Sequence, residues 1–199
     1  MTIMHAEITG VILAGGRARR MGGEDKGLVQ IGDKALYQYT LARLQPQVGK
    51  VLISANRNLA QYQRSGWPVI GDLQPGFAGP LAGMLAGLQH ATTEWVVFVP
   101  CDVPDFPESL VEALWQGRQG ALAVYASDDQ RAHPTLALLH NSLAARLAQY
   151  LAQGERKLML FLDAVGAKEV VFSNQSSAFH NLNTREDCLS WQRARGISQ

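Results

Sequence analysis

Thr9-Gly10-Val11-Ile12-Leu13-Ala14-Gly15-Gly16-Arg17-Ala18-Arg19-Arg20-Met21-Gly22-Gly23-Glu24-Asp25-Lys26-Gly27 is the stretch on which the fold turns. It opens as an apolar run over residues 11–14, of the kind that reads as a buried parallel strand. It then changes abruptly to glycine and cation. Gly15 and Gly16 permit backbone angles closed to other residues and leave room for a ligand against the main chain. Free N–H groups in such a turn form an anion-binding concavity. Arg17, Arg19, Arg20 and Lys26 follow, with Gly22, Gly23 and Gly27 interleaved. Strand, glycine turn and clustered cations suit the holding of a polyphosphate. The competing reading is a plain surface loop with solvated arginines. Strand-end loops are where α/β proteins put their sites, which favours the first.

Two familiar phosphate motifs are excluded. Lys26 lies between Asp25 and Gly27, which is not the G-x-x-x-x-G-K-[ST] of a P-loop, and no G-x-G-x-x-G follows Leu13. Downstream, residues 34–44 read as a helix stopped by Pro46, residues 50–54 as a strand ending in Ala55-Asn56-Arg57-Asn58, residues 59–65 as a short helix, and residues 68–70 as a strand ending at Gly71-Asp72. This β-α-β-α-β rhythm argues a parallel sheet. Residues 76–79 are a glycine-rich loop, and Pro80 sits where the first turn of a helix begins, with Leu81, Met84, Leu85 and Leu88 as its apolar stripe.

Residues 95–99, apolar without alternation, predict a central strand buried on both faces. It ends in Pro100-Cys101-Asp102-Val103-Pro104. A helix over 107–116, a strand over 121–126, a turn over 127–131 and a returning strand over 134–140 follow. Helices over 143–152 and 158–165 flank Gly154-Glu155-Arg156-Lys157. Residues 169–172 read as a last strand, and Thr184 begins a final helix with Asp187 as its capping-box partner.

The chain has 199 residues, 47% hydrophobic and 18% charged, enough for one domain with a sizeable core. A formal net charge of +1 gives no global field to recruit nucleic acid or an anionic membrane, so the basic cluster is local and suits a small polyanion. Two cysteines, Cys101 and Cys188, without zinc spacing suit a reducing cytoplasm. No signal peptide or membrane-spanning run is expected, and the five histidines show no metal spacing.

The strand-end residues carry the chemistry. Asp102 is a hard oxygen ligand suited to Mg²⁺ on phosphate, or else a turn aspartate before Pro104. Asn56 and Asp72 end two other strands, as ligand contacts or as caps and turns. Cys101 reads as a buried small hydrophobe rather than a nucleophile.

Leu13-Ala14-Gly15-Gly16, Arg19-Arg20-Met21-Gly22-Gly23 and Asp25-Lys26-Gly27 together resemble the signature loop of the nucleotidyltransferases that handle the molybdenum cofactor, most of all the bacterial guanylyltransferases. The resemblance resumes at intervals to the C-terminus. It implies an α/β, Rossmann-like three-layer sandwich with a mostly parallel central sheet, one transferase domain over residues 1–199, and Mg²⁺ as cofactor. It implies GMP transfer from GTP to the terminal phosphate of molybdopterin, with release of pyrophosphate. Arg19, Lys26 and Asp102 would be catalytic, with Asp102 the metal ligand. Leu13, Ala14, Gly15, Gly16, Lys26, Asn56, Asp72 and Asp102 would bind GTP. The C-terminal half would face molybdopterin through His133, Arg156, Lys157, Asn181 and Asn183.

Gly79-Pro80-Leu81-Ala82-Gly83-Met84 matches a family segment at the cleft, read here as structural with a backbone role. Gly15 favours guanine, because cytidylyl relatives tend to carry Ala there. The family commonly has Pro where this chain has Arg185. A monomer in transient contact with cofactor-synthesis proteins or molybdoenzyme chaperones is expected. The alternatives are a sibling using CTP with molybdopterin or an NTP with a sugar phosphate, or a non-catalytic nucleotide-binding accessory protein.

Overall fold

The computed structural model describes residues 6–15, 23–72 and 79–198. The first half contains β1 (Ile8–Leu13), β2 (Gln30–Ile31), β3 (Lys34–Ala35), α1 (Leu36–Leu44), β4 (Lys50–Ser54), α2 (Leu59–Gln63), β5 (Val69–Ile70), α3 (Pro80–His90) and β6 (Trp95–Pro100). The second contains α4 (Leu110–Gly117), β7 (Ala123–Ser127), β8 (Ala132–His140), α5 (Ala144–Ala152), α6 (Leu158–Ala164), β9 (Lys168–Val171) and α7 (Arg185–Ala194).

Seven strands form one sheet in the order β5-β4-β1-β6-β8-β7-β9. β1 pairs in parallel with β4 and β6, β4 with β5, and β7 with β9. β8 alone runs antiparallel, against β6 and β7. It does so because the turn over 128–131 is too short to carry a crossover and returns as a hairpin.

Both faces of the central strands are covered, as their unbroken apolar runs predict. On one face Ile8, Ile12, Val97 and Val99 pack against Tyr37 and Leu44 of α1 and Leu110, Val111 and Leu114 of α4. On the other, Val11, Val96 and Phe98 pack against Leu81, Met84, Leu85 and Leu88 of α3, with α5 and α6 extending the layer. Helix, sheet and helix make the expected three-layer α/β sandwich. A Cβ at Gly87 would come within 2.7 Å of Phe98 Cε1, and one at Gly83 within 2.8 Å of Ser54 Oγ, so these glycines let α3 lie close on the sheet.

The expected helix over 34–44 is corrected. Lys34 and Ala35 pair with Gln30 and Ile31 as a small hairpin, and the helix starts at Leu36. Gly32, at φ +64, makes the tight turn between them. Two-residue strands are too short to show a period. Elsewhere element ends move by a few residues. The returning strand begins at Ala132 rather than 134, and the helix expected from 107 starts at Leu110 after a turn in which Leu110 N donates to Pro107 O. No described helix is long and apolar enough to cross a membrane.

Candidate active site

Four parallel strands end in register, and their next residues form a row. β1 ends at Leu13, β4 at Ser54, β5 at Ile70 and β6 at Pro100. Gly15, Asn56, Asp72 and Asp102 each lie two positions beyond these ends. The sheet order arranges the row as Asp72, Asn56, Gly15, Asp102. With strands about 4.8 Å apart, it spans roughly 14 Å along the carboxyl edge of the sheet, where open α/β folds bind ligands. The ladder extends one residue past each strand and fixes the row: Ala14 N donates to Ser54 O (2.8 Å), Ala55 N to Ile70 O (2.9 Å) and Cys101 N to Leu13 O (3.1 Å).

Asn56 and Asp72 interlock at one end. Asn56 Nδ2 donates to Asp72 Oδ2, and Asp72 N donates to Asn56 Oδ1, both at 2.8 Å. Burial pushes the Asp72 carboxyl above its ordinary value, against the opposing hydrogen bond from Asn56. Gly15 lies beside them: a Cβ there would sit 3.4 Å from Asn56 Nδ2.

At the other end Lys26 meets Asp102. The ammonium lies 2.5 Å from Asp102 Oδ2 and 2.6 Å from Asn183 Oδ1. Asn181 Nδ2 also donates to Asp102 Oδ2 at 3.3 Å, and Arg131 Nη2 donates to Asn181 Oδ1 at 3.2 Å. The Lys26 and Asp102 side chains are only 14% and 13% exposed, so their charges interact with little screening. The network brings four sequence-predicted residues together: Lys26, Asp102, Asn181 and Asn183.

Lys26 is aimed by the segment before it, which is clamped from outside. Tyr62 Oη donates to Asp25 Oδ1 at 2.6 Å and Asn58 Nδ2 to Asp25 Oδ2 at 3.1 Å. Arg57 reaches Gly23 O and Glu24 O, both at 3.2 Å. Arg185 donates to Glu24 Oε1 at 3.1 Å, so the residue that stands where the resemblance leads one to expect proline ties α7 to this loop. Gly27 is required by close approach, since a Cβ there would lie 2.4 Å from Tyr62 Oη. Burial, then the bond to Asp25, pushes the Tyr62 phenol far up, so it serves as a fixed donor. Sequence reasoning missed Tyr62 and the clamping roles of Arg57 and Asn58. The only local signal was Asn58, which adopts φ +53 at the start of α2 as asparagine tolerates.

Tyr62→Phe is expected to cost about 1–3 kcal/mol, because it leaves the buried Asp25 carboxylate short of a donor. Urea unfolding measures this, and an unchanged midpoint would remove Tyr62 from the clamp.

The other predicted residues divide. Gly16 and Arg19 lie outside the described residues, as do Arg17, Arg20, Met21 and Gly22. His133 is 6% exposed. Its Nε2 pairs with Asp128 Oδ2 at 2.9 Å and its ring stacks on Phe179, so its side chain is held by interior partners. Arg156 Nη1 donates to Leu151 O and Glu155 O in its own loop, and Lys157 O accepts from Tyr150 Oη. These two lie on the α5–α6 connection. α5 starts after His140 and α6 ends before Lys168, both at the far end of the sheet, which turns that connection toward the same end as Asp102. Thr184 caps α7 as predicted, with Oγ1 accepting Asp187 N at 3.1 Å. Cys101 and Cys188 are buried free thiols. Burial, with Asp102 adding to it, pushes Cys101 far up, so it is no nucleophile.

Asp102 fits a phosphate-bound Mg²⁺ by donor chemistry, as one hard carboxylate at the edge of an open site. Among the described residues no cluster of three or more His, Cys, Asp or Glu is built to hold a metal.

A parallel sheet with a row of polar residues at its carboxyl edge, closed by a lysine–aspartate pair, defines a nucleotide-handling α/β protein. The chain belongs to the MobA-like NTP transferase family, whose profile matches residues 10–167. The molybdenum cofactor guanylyltransferase of Serratia proteamaculans is 69% identical over 195 residues, covering 98% of this chain and 99% of the relative. That of Yersinia pseudotuberculosis is 59% identical over 192 residues, covering 96% and 98%. The crystal structure of molybdopterin-guanine dinucleotide biosynthesis protein A from Archaeoglobus fulgidus superposes with a TM-score of 0.75 at 24% identity, over 96% of this chain and 100% of that one. At that identity the likeness speaks for the fold.

Proposed function

We propose that this chain transfers the GMP moiety of GTP to the terminal phosphate of molybdopterin, forming the guanine dinucleotide and pyrophosphate. The observation that carries the reading is the strand-end row, with a base-sized polar pair at one end and a cation at the other. The names of the two relatives, at 69% and 59% identity over nearly the whole chain, support the same reaction.

The specificity follows from the donor pattern of the base. Guanine presents N1–H and a 2-amino group side by side, and a carboxylate such as Asp72 accepts from both. Asn56 braces that carboxylate through Oδ2. Gly15 keeps space open beside Asn56 that an alanine methyl would enter. A purine needs that space more than a pyrimidine does.

In the transfer, an oxygen of the molybdopterin phosphate attacks the α-phosphorus of GTP. The bond from that phosphorus to the bridging oxygen breaks, and pyrophosphate leaves with the electron pair. The attacking group is already anionic, so a strong base is not needed. The protein must offset repulsion between anions and align attack with departure. Lys26 supplies a compact positive charge to the departing pyrophosphate, a duty that the family resemblance extends to Arg19 and to N–H groups of the glycine turn. Asp102 would hold Mg²⁺, which would supply Lewis-acid neutralisation of the phosphates. Asn181 and Asn183 hold Asp102 and Lys26 on the acceptor side, toward which His133, Arg156 and Lys157 also belong. The N-terminal half thus serves the nucleotide and the C-terminal half molybdopterin, within one cytoplasmic, monomeric unit that meets other cofactor-handling proteins transiently.

GTP with Mg²⁺ is expected to raise the thermal midpoint more than ATP, CTP or UTP at equal concentration. Incubation with molybdopterin and each NTP should yield a dinucleotide with GTP above all. Equal protection and equal product with CTP would overturn the guanine assignment.

A further inference from the structure

Asp128 and His133 are buried polar residues, at 8% and 6% exposure, whose bond to each other has no part in the transfer steps above. Asp128 Oδ1 accepts the amides of Gln130 (2.7 Å) and Arg131 (2.9 Å), which shapes the β7–β8 turn. Its Oδ2 holds His133 Nε2 at 2.9 Å. The His133 ring lies flat on Phe179, with centroids 4.6 Å apart and planes 13° from parallel. Phe179 is 1% exposed and ends the short 3₁₀ turn Ser176–Phe179. After His180 come Asn181, Leu182 and Asn183. Asn181 Nδ2 and Leu182 N both bond Asp102, the latter to its carbonyl at 2.8 Å, while Asn183 Oδ1 accepts Lys26.

Two routes therefore run from one carboxylate to the reacting groups. The first passes through the turn to Arg131, whose guanidinium holds Asn181 Oδ1 at 3.2 Å. The second passes through the His133–Phe179 stack to the chain carrying Asn181 and Asn183. From this geometry we propose that Asp128 and His133 are positioning residues which set segment 180–184 against Asp102 and Lys26 for the acceptor half of the reaction. This rests on the transfer to molybdopterin proposed above. Burial raises the Asp128 carboxyl, but His133 and the two amides outweigh it and bring it down to about 2. Asp128 is thus an ionised acceptor throughout the neutral range. A flat ring at 133 is the element that transmits position, so stacking should matter more than the ring nitrogens.

The test compares His133→Ala, His133→Phe and Phe179→Leu with the wild type. In His133→Ala, kcat/KM for molybdopterin should fall about tenfold, as a small misplacement of reacting groups does. The Kd for GTP should change less, within about twofold, because Asp72, Asn56 and Gly15 lie at the end of the row away from segment 180–184. His133→Phe should recover most of the loss. Amide exchange at Leu182 should quicken in His133→Ala and in Phe179→Leu, and return in His133→Phe. A purely structural residue would lower the thermal midpoint without this split. Wild-type kcat/KM in a folded His133→Ala protein, an equal loss of GTP affinity, or unchanged Leu182 exchange would each overturn the proposal. If His133→Ala does not fold, Phe179→Leu carries the comparison. If the wild type makes no dinucleotide from molybdopterin, the proposed function fails, and Leu182 exchange alone then decides the positioning role.

Discussion

Asp102→Ala is expected to lower turnover by about 10²–10³ while leaving the fold intact, the scale of losing one preorganised electrostatic group. The fold should survive because burial here belongs to the neighbours: Cys101 and Val103 are 4% and 1% exposed, whereas Asp102 faces the site. Its backbone would go on accepting Leu182 N through the carbonyl. What disappears is the acceptor for Lys26 and Asn181 and, on the proposed reaction, a carboxylate that would hold a phosphate-bound cation. Asp102→Asn separates these duties. An amide oxygen still accepts from Lys26 but brings no charge to a metal, so Asp102→Asn should be nearly as impaired as Asp102→Ala. Circular dichroism establishes that both are folded, and kcat across a Mg²⁺ titration reads the effect. Near-normal turnover of either variant at limiting Mg²⁺ would exclude Asp102 as the ligand.

The sheet was legible because its strands announce themselves. Val96 to Val99 are apolar at every position, since helices cover both faces, and the apolar runs stop after Ala14, Ala55 and Cys101, close to where each strand leaves the sheet. Once strand ends are known, Gly15, Asn56, Asp72 and Asp102 stand out as the residues just beyond them, while the assignment of Asn56 and Asp72 to the nucleotide rests on the resemblance. What holds these residues was not legible. Asp25 depends on Tyr62, 37 positions later, and Lys26 on Asn183, 157 positions later. Such contacts leave no local period. Tyr62 reads as one aromatic in a short polar helix. His133 shows the same limit: the resemblance sets it toward molybdopterin, and no local pattern announces its contacts with Asp128 and Phe179. Sequence reports what a residue can bond, and only the packed structure reports which bond has already been taken.

Lys26 should prove at least as sensitive as Asp102, and its substitutions test a different property. Its ammonium bridges Asp102 and Asn183, the first on the nucleotide side of the sheet and the second on the α7 side. Both side chains are largely buried, so removing the ammonium leaves the Asp102 carboxylate without its charge partner, and Lys26→Ala should lower the unfolding temperature while staying folded under assay conditions. The clamp on Glu24 and Asp25 confines the backbone, so the side chain must reach its targets with its own length and shape. A compact charge can turn from Asp102 to a phosphate oxygen within that space. The planar fork of arginine needs a second aligned acceptor and reaches further. As negative charge builds on the departing pyrophosphate, the lysine contact strengthens, so the loss should appear in kcat as well as in KM for GTP. Lys26→Ala is expected to lower kcat/KM by about 10² or more, and Lys26→Arg to recover little of it. A solvated lysine with no duty would leave both constants unchanged in either variant. Steady-state kinetics on folded Lys26→Ala protein decides between the two, and wild-type values of kcat and of KM for GTP would remove Lys26 from the site.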